Sequence, residues 1–228
     1  MSATTSRTNT PLARAATAAG NLLRAIIVPR KFFTNATTST VQTTAVWGAG
    51  ALLVVAIIIL TIAVLIGQAT WNQAIGEYLA GNELDRADFP AMNILSGLPY
   101  EFPGIWLALI ALMGVVRFWW LALLGEKRGG ALVMLGMTLS LAAISLTPMM
   151  LNGLFAAVTG NLFPIGSEYN SFEAMRIFLA IAGVVIAWLW DGYVTFFAYR
   201  AVFQLSAIRA VLTFLIPWGG LYLLTFIV

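Results

Sequence analysis

The sequence predicts an all-α, polytopic transmembrane helix bundle of about five spans, with an N-terminal interfacial amphipathic helix. Three observations lead there. Of 228 residues, 61% are apolar and only 9% charged, whereas soluble domains carry about 25% charged residues. So little polar surface cannot cover a water-facing exterior. Five apolar runs recur along the chain, each close to the ~20 residues that a helix needs to cross a bilayer. Basic and acidic residues also gather in different connections, the asymmetry that orients membrane proteins.

The chain divides into a basic segment, residues 1–43, and a five-span region, residues 44–228. The first segment holds Arg7, Arg14, Arg24, Arg30 and Lys31 and no acidic residue. Thr10 followed by Pro11 is a natural N-cap and first helical position. Leu12, Ala16, Ala19, Leu23 and Ile26 then repeat at helical spacing, with Arg14, Thr17, Asn21 and Arg24 on another face. That pattern suits a helix lying on an anionic membrane surface, with Arg14, Arg24, Arg30 and Lys31 as its basic contacts. A targeting peptide shares the Arg-rich, acid-poor composition.

The spans are expected at about 45–66, 104–124, 131–158, 177–199 and 210–228. The first is uncharged. A polar stretch from Gln68 to Glu101 follows, read as a long loop with Glu77, Glu83, Asp85 and Asp88 against Arg86. The second span ends in the turn Glu126-Lys127-Arg128-Gly129-Gly130. The third contains Pro148, which cannot donate its helix hydrogen bond and should kink it. A loop with Pro164, Glu168 and Glu173 leads to the fourth span, and Arg200 to Arg209 is a short basic link to the fifth.

With the N-terminus in the cytoplasm, the cytoplasmic side gathers the five N-terminal basic residues together with Lys127, Arg128, Arg200 and Arg209. The far side holds only Arg86 and Arg176, with seven of the nine acidic residues. The positive-inside rule therefore puts the N-terminus inside and the C-terminus outside.

Two charges fall within spans. Arg117 lies about 13 residues into the second and Asp191 about 14 into the fourth, and both reach ~20 Å depth from the same side. An unpaired charge in lipid is expensive, so opposite charges at equal depth invite an intramembrane ion pair. Ala180, Gly183 and Ala187 share a helix face with Asp191, and small residues mark helix-packing faces in membranes. The pair reads either as a structural lock or as a proton or ion relay. A relay generally needs several ionisable groups in series, and here one acid meets one base.

Other chemistry is restricted by composition. The chain has no cysteine and no histidine. This excludes disulfides, thiolate nucleophiles, Cys/His zinc sites and His-ligated haem. There is no Walker-type loop, GxSxG elbow or acidic metal loop, and no basic-aromatic surface for nucleic acid. No cofactor, metal site or catalytic residue is expected.

Three short stretches carry a family resemblance. They are Val28-Pro29-Arg30-Lys31-Phe32-Phe33 before the first span, Leu124-Gly125-Glu126-Lys127-Arg128-Gly129-Gly130 in the middle, and Tyr199 to Ala210 with Leu205-Ser206-Ala207-Ile208-Arg209-Ala210 before the last helix. In order and layout, over about residues 22–228, the chain resembles prokaryotic members of the Yip1 domain family. The resemblance implies a five-helix bundle in a prokaryotic cytoplasmic membrane and a non-catalytic role. It offers no catalytic residues to carry over. The expected function is a non-enzymatic membrane scaffold or interaction protein. Its partners are the lipid bilayer and other membrane protein subunits or a second copy of itself. An accessory subunit of a respiratory or photosynthetic complex and a small transporter using Arg117 and Asp191 are the alternatives.

Overall fold

The N-terminal helix starts where the sequence supplies its cap. In the computed structural model, which describes residues 10–82, 94–126, 129–162 and 171–224, the Ala13 N–H donates to Thr10 Oγ1 at 3.3 Å. Pro11 takes the first position of α1 (Pro11–Ile27), where its missing N–H costs nothing.

α1 has three faces where two were expected. Leu12, Leu23 and Ile27 are exposed, at 83%, 58% and 61%, and Arg14, Thr17 and Arg24 are exposed beside them. Between these stripes, Ala18, Leu22 and Ala25 are buried. They face the π-helical segment Thr44–Ala49. A Cβ on Gly48 would lie 2.9 Å from the Ala18 carbonyl oxygen and 3.2 Å from Leu22 Cβ. Small residues on both sides let the two backbones meet. This third face escapes the sequence pattern because Ala18 and Ala25 are only weakly apolar and Leu22 falls between the two expected stripes.

α2 (Pro29–Asn35) and α3 (Thr38–Thr43) follow, the latter capped by the Thr40 N–H donating to Thr37 Oγ1 at 3.1 Å. The chain then runs through the π-helical segment into α4 (Gly50–Asn82). The first candidate span, expected at 45–66, covers Thr38–Gly67. Helix also continues through Asn82, into the polar stretch from Gln68 whose composition predicts a loop. Polar residues ended the apolar pattern there, but Gln68–Asn82 contains no proline and keeps good helix formers.

α5 (Ile94–Leu123) contains the candidate span Glu101–Leu123. It closes on a Gly-containing turn, with the Gly125 N–H donating to the Ala122 carbonyl and the Glu126 N–H to that of Leu121, the pairing of a Schellman cap. α6 (Ala131–Ser145) and α7 (Thr147–Leu162) are separated at Leu146, just before Pro148, and together qualify as one broken span. α8 (Ser171–Phe203) contains the span Ile177–Phe203. α9 (Ala207–Leu224) is a shorter apolar helix. Among the described residues there are thus three helices long and apolar enough to cross a membrane, a fourth if the broken pair is one span, and one shorter apolar helix.

The expected basic link of Arg200 to Arg209 shrinks to Gln204, Leu205 and Ser206. Arg200 belongs to the last turn of α8 and Arg209 to the first turn of α9, its N–H donating to Ser206 Oγ at 3.4 Å. Charged residues tolerate helix well, so polarity alone overestimated the connection. Arg7, Arg86, Lys127, Arg128, Glu83, Asp85, Asp88, Pro164 and Glu168, and the end of the fifth expected span, lie outside the described residues.

The chain forms two compact units. The first comprises the described residues of Met1–Leu52, Leu107–Pro148 and Trp188–Val228, with Leu121, Leu141, Ile144, Val194 and Tyr199 in its core. Within it α5 and α6 touch: a Cβ on Gly114 would stand 2.9 Å from Leu139 Cα. The Trp190 indole N–H donates to the Ile26 carbonyl at 3.0 Å, satisfying an acceptor in the last turn of α1 that the helix itself need not fill. The second unit comprises Leu53–Trp106 and Met149–Ala187. It buries Ala56, Leu60, Ala63, Met150 and Leu154 and packs Phe102 against Trp106, ring centroids 5.9 Å apart. Val54, Val55, Ile58, Ile59 and Ile62 of α4 are exposed, as residues solvated by lipid should be.

Candidate functional site

The strongest chemical feature of the first unit is a cluster of polar side chains sealed among apolar ones. Arg117, from α5, and Asp191, from α8, are both fully buried, at 0% exposure. Arg117 Nη2 lies 3.4 Å from each carboxylate oxygen of Asp191. Arg117 Nη1 donates to Ser145 Oγ, at the end of α6, at 2.9 Å. On the acid, Thr195 Oγ1 donates to Oδ1 at 3.1 Å, and the Trp218 indole of α9 donates to Oδ2 at 2.8 Å. The guanidinium stands 5.9 Å from the ring centroid of Tyr199, within cation–π range.

Each carboxylate oxygen therefore has the arginine and one neutral donor. A buried carboxylate keeps its charge without water only under such saturation. Arg117 is less completely served, its Nε having no hydrogen-bond partner among the described residues. Four helices, α5, α6, α8 and α9, each contribute a side chain to this one point.

Of the residues singled out in the sequence, Arg117 and Asp191 are brought together. Ala180, Gly183 and Ala187 stand in the second unit. Ala187 is buried, Ala180 and Gly183 half-buried, and a Cβ on Gly183 would collide with the Asn152 side chain of α7. Arg14, Arg24, Arg30 and Lys31 are exposed in the N-terminal helices. Arg24 and Lys31 line one cleft, and Arg30 lines another with Arg200 and Phe196.

Ser145, Thr195, Tyr199 and Trp218 were missed. Thr195 and Tyr199 follow Asp191 at four and eight residues, and that spacing on one helix was a usable signal. Ser145 and Trp218 gave none, since their role depends on how α6 and α9 pack.

What this arrangement can do follows from its closure. It fixes the mutual placement of four helices with directional bonds, which apolar contacts in lipid cannot specify. Among the described residues no group of three or more Asp or Glu side chains could hold a metal ion. Compared with family models, residues 23–228 match the Yip1 domain. No curated protein and no solved structure matches the chain.

Proposed function

The chain belongs to the Yip1 domain family, and from that premise we propose that this integral membrane protein is a non-enzymatic scaffold that recruits other membrane proteins or a second copy of itself. Its buried ion pair locks the helices and carries nothing across the membrane. The observation that supports this most is the saturation of Asp191. Both of its oxygens are occupied by donors from Arg117, Thr195 and Trp218, and the group has no exposed surface. A proton carrier must exchange with water on each side in turn, which a fully bonded carboxylate without solvent contact does poorly. The proposed setting is a prokaryotic cytoplasmic membrane, N-terminus inside and C-terminus outside, supported by the distribution of Lys and Arg.

Two measurements test this. Reconstituted into vesicles, the protein should give proton and ion fluxes equal to those of protein-free vesicles. A flux that Asp191→Asn abolishes would replace the scaffold with a transporter. Extracted from its native membrane in mild detergent and weighed intact, it should appear with membrane protein partners or as a self-associated species of variable occupancy. Fixed stoichiometry within a redox complex would make it an accessory subunit instead.

A further inference from the structure

The N-terminal helices enclose a cleft of about 570 Å³ bounded by α1, α2 and the start of α3. Its polar wall is made by Arg24 and Asn21 of α1, Lys31 and Asn35 of α2, and Thr40 of α3. The lining contains two cations and no carboxylate. The first acidic residue of the whole chain is Glu77, and among the described residues no acid pairs with Arg24 or Lys31. Two like charges facing one concavity repel each other, and that geometry persists at lowest cost when an anion sits between them.

The rim indicates which kind of anion. Leu23, Ile27 and Val28 flank Arg24 along the chain, and they are exposed at 58%, 61% and 45%. A basic concavity thus continues directly into an apolar surface. We propose that this cleft binds the phosphate-bearing headgroup of an anionic phospholipid, one molecule per chain. Arg24 and Lys31 hold the phosphate, Asn21 donates to its oxygens, and the acyl chains lie along Leu23, Ile27 and Val28. Asn35 already gives one amide hydrogen to the Lys31 carbonyl at 3.0 Å, and Thr40 Oγ1 shares a 2.9 Å bond with Thr37 Oγ1. Those two therefore shape the wall, and the cations supply most of the affinity.

This goes beyond the attraction of scattered basic residues to a charged surface, because it requires a saturable site. It rests on α1 meeting lipid and is independent of the scaffold role. The test uses the full chain in neutral detergent at physiological ionic strength, with intact-mass measurement of bound lipid. The probes are short-chain phosphatidylglycerol, short-chain phosphatidylcholine and inorganic phosphate. Phosphatidylglycerol should saturate at one molecule per chain, and the other two should bind far more weakly. Arg24→Gln with Lys31→Gln should weaken binding about 30-fold, from the loss of two lipid-facing cations. Arg14→Gln with Arg209→Gln removes the same charge outside the cleft and should change binding about twofold or less. Ala36→Phe fills the cavity while keeping every charge, and it should also abolish the saturable phase.

Equal losses in the two double variants would overturn the site in favour of diffuse adhesion, with α1 still at the surface. Equal binding of phosphatidylcholine would reduce it to an apolar groove. Inorganic phosphate binding as tightly as the lipid would make it a phosphate site with no lipid specificity. No binding of any probe would remove both the site and the lipid contact of α1.

Discussion

At the scale of single residues, the energetics turn on the asymmetry of a buried ion pair. Arg117 and Asp191 each exist as charges at 0% exposure only because of the other. Removing one leaves the second uncompensated, which costs about 3–5 kcal/mol, whereas removing both together is far cheaper. Arg117→Gln and Asp191→Asn should therefore each lower thermostability in detergent, and the double variant should recover much of the loss in a double-mutant cycle. Strictly additive losses would show that the 3.4 Å contact contributes nothing. Trp218→Phe isolates another part of the cluster, since it keeps an aromatic ring and deletes the N–H that reaches Asp191 Oδ2 at 2.8 Å. It should cost about 1–3 kcal/mol, the penalty of a buried acceptor on a charged group losing its donor. The pair itself was legible in the sequence because lipid makes intramembrane charges rare enough to count. Ser145 and Trp218 were not, because serine and tryptophan have many roles in membrane helices and only tertiary packing selects this one.

At the scale of the element, α1 is attached by backbone proximity. Gly48 allows the π-helical segment to approach Ala18 so closely that a Cβ there would meet its carbonyl oxygen at 2.9 Å. Gly48→Leu should displace α1, costing about 1–3 kcal/mol through overpacking, and should speed proteolysis between Pro11 and Ile27 while leaving the spans protected. An unchanged cleavage rate would mean that α1 is held elsewhere, for instance by the Trp190 bond to the Ile26 carbonyl. The apolar stripe and the cap of α1 were readable from periodicity and from the Thr-Pro pair. Its docked face was not, for two of its three buried residues, Ala18 and Ala25, are too small to stand out as hydrophobic, and Leu22 alone makes no stripe. The extension of α4 to Asn82 escaped for a related reason. Hydropathy reports where a helix could contact lipid, and helix formation ends only where capping or proline ends it.

For the molecule as a whole, the fold class follows from composition, and the all-helical architecture of the described residues agrees with it. The number of crossings is less directly legible. Three spans stand on their own, while the run at 131–158 is broken at Leu146 and the last helix is short. Cysteine labelling addresses the orientation, with no native cysteine to interfere. In intact cells or right-side-out vesicles, Asp85→Cys should react with an impermeant maleimide and Lys127→Cys should not. The reverse pattern would invert the membrane orientation proposed from the positive charges.

The distance along the chain between the two buried charges has a consequence during biosynthesis. Arg117 precedes Asp191 by 74 residues, and at ribosomal speeds that gap lasts about 4–15 s. Throughout it, α5 presents an arginine six residues from the end of its candidate span with no counter-ion, at an insertion penalty of up to about 3 kcal/mol, the cost at a helix centre. The nascent α5 is thus an incompletely committed segment, dependent on the insertion machinery until α8 emerges. Chains truncated before Asp191 should leave a fraction of α5 outside the bilayer, measurable by glycosylation-site mapping, and Arg117→Leu should restore full insertion of the same truncated chain. Full insertion of the truncated wild-type sequence would mean that α5 needs no later partner. On this account, a bond that fixes the finished helices also sets the order in which they can be completed.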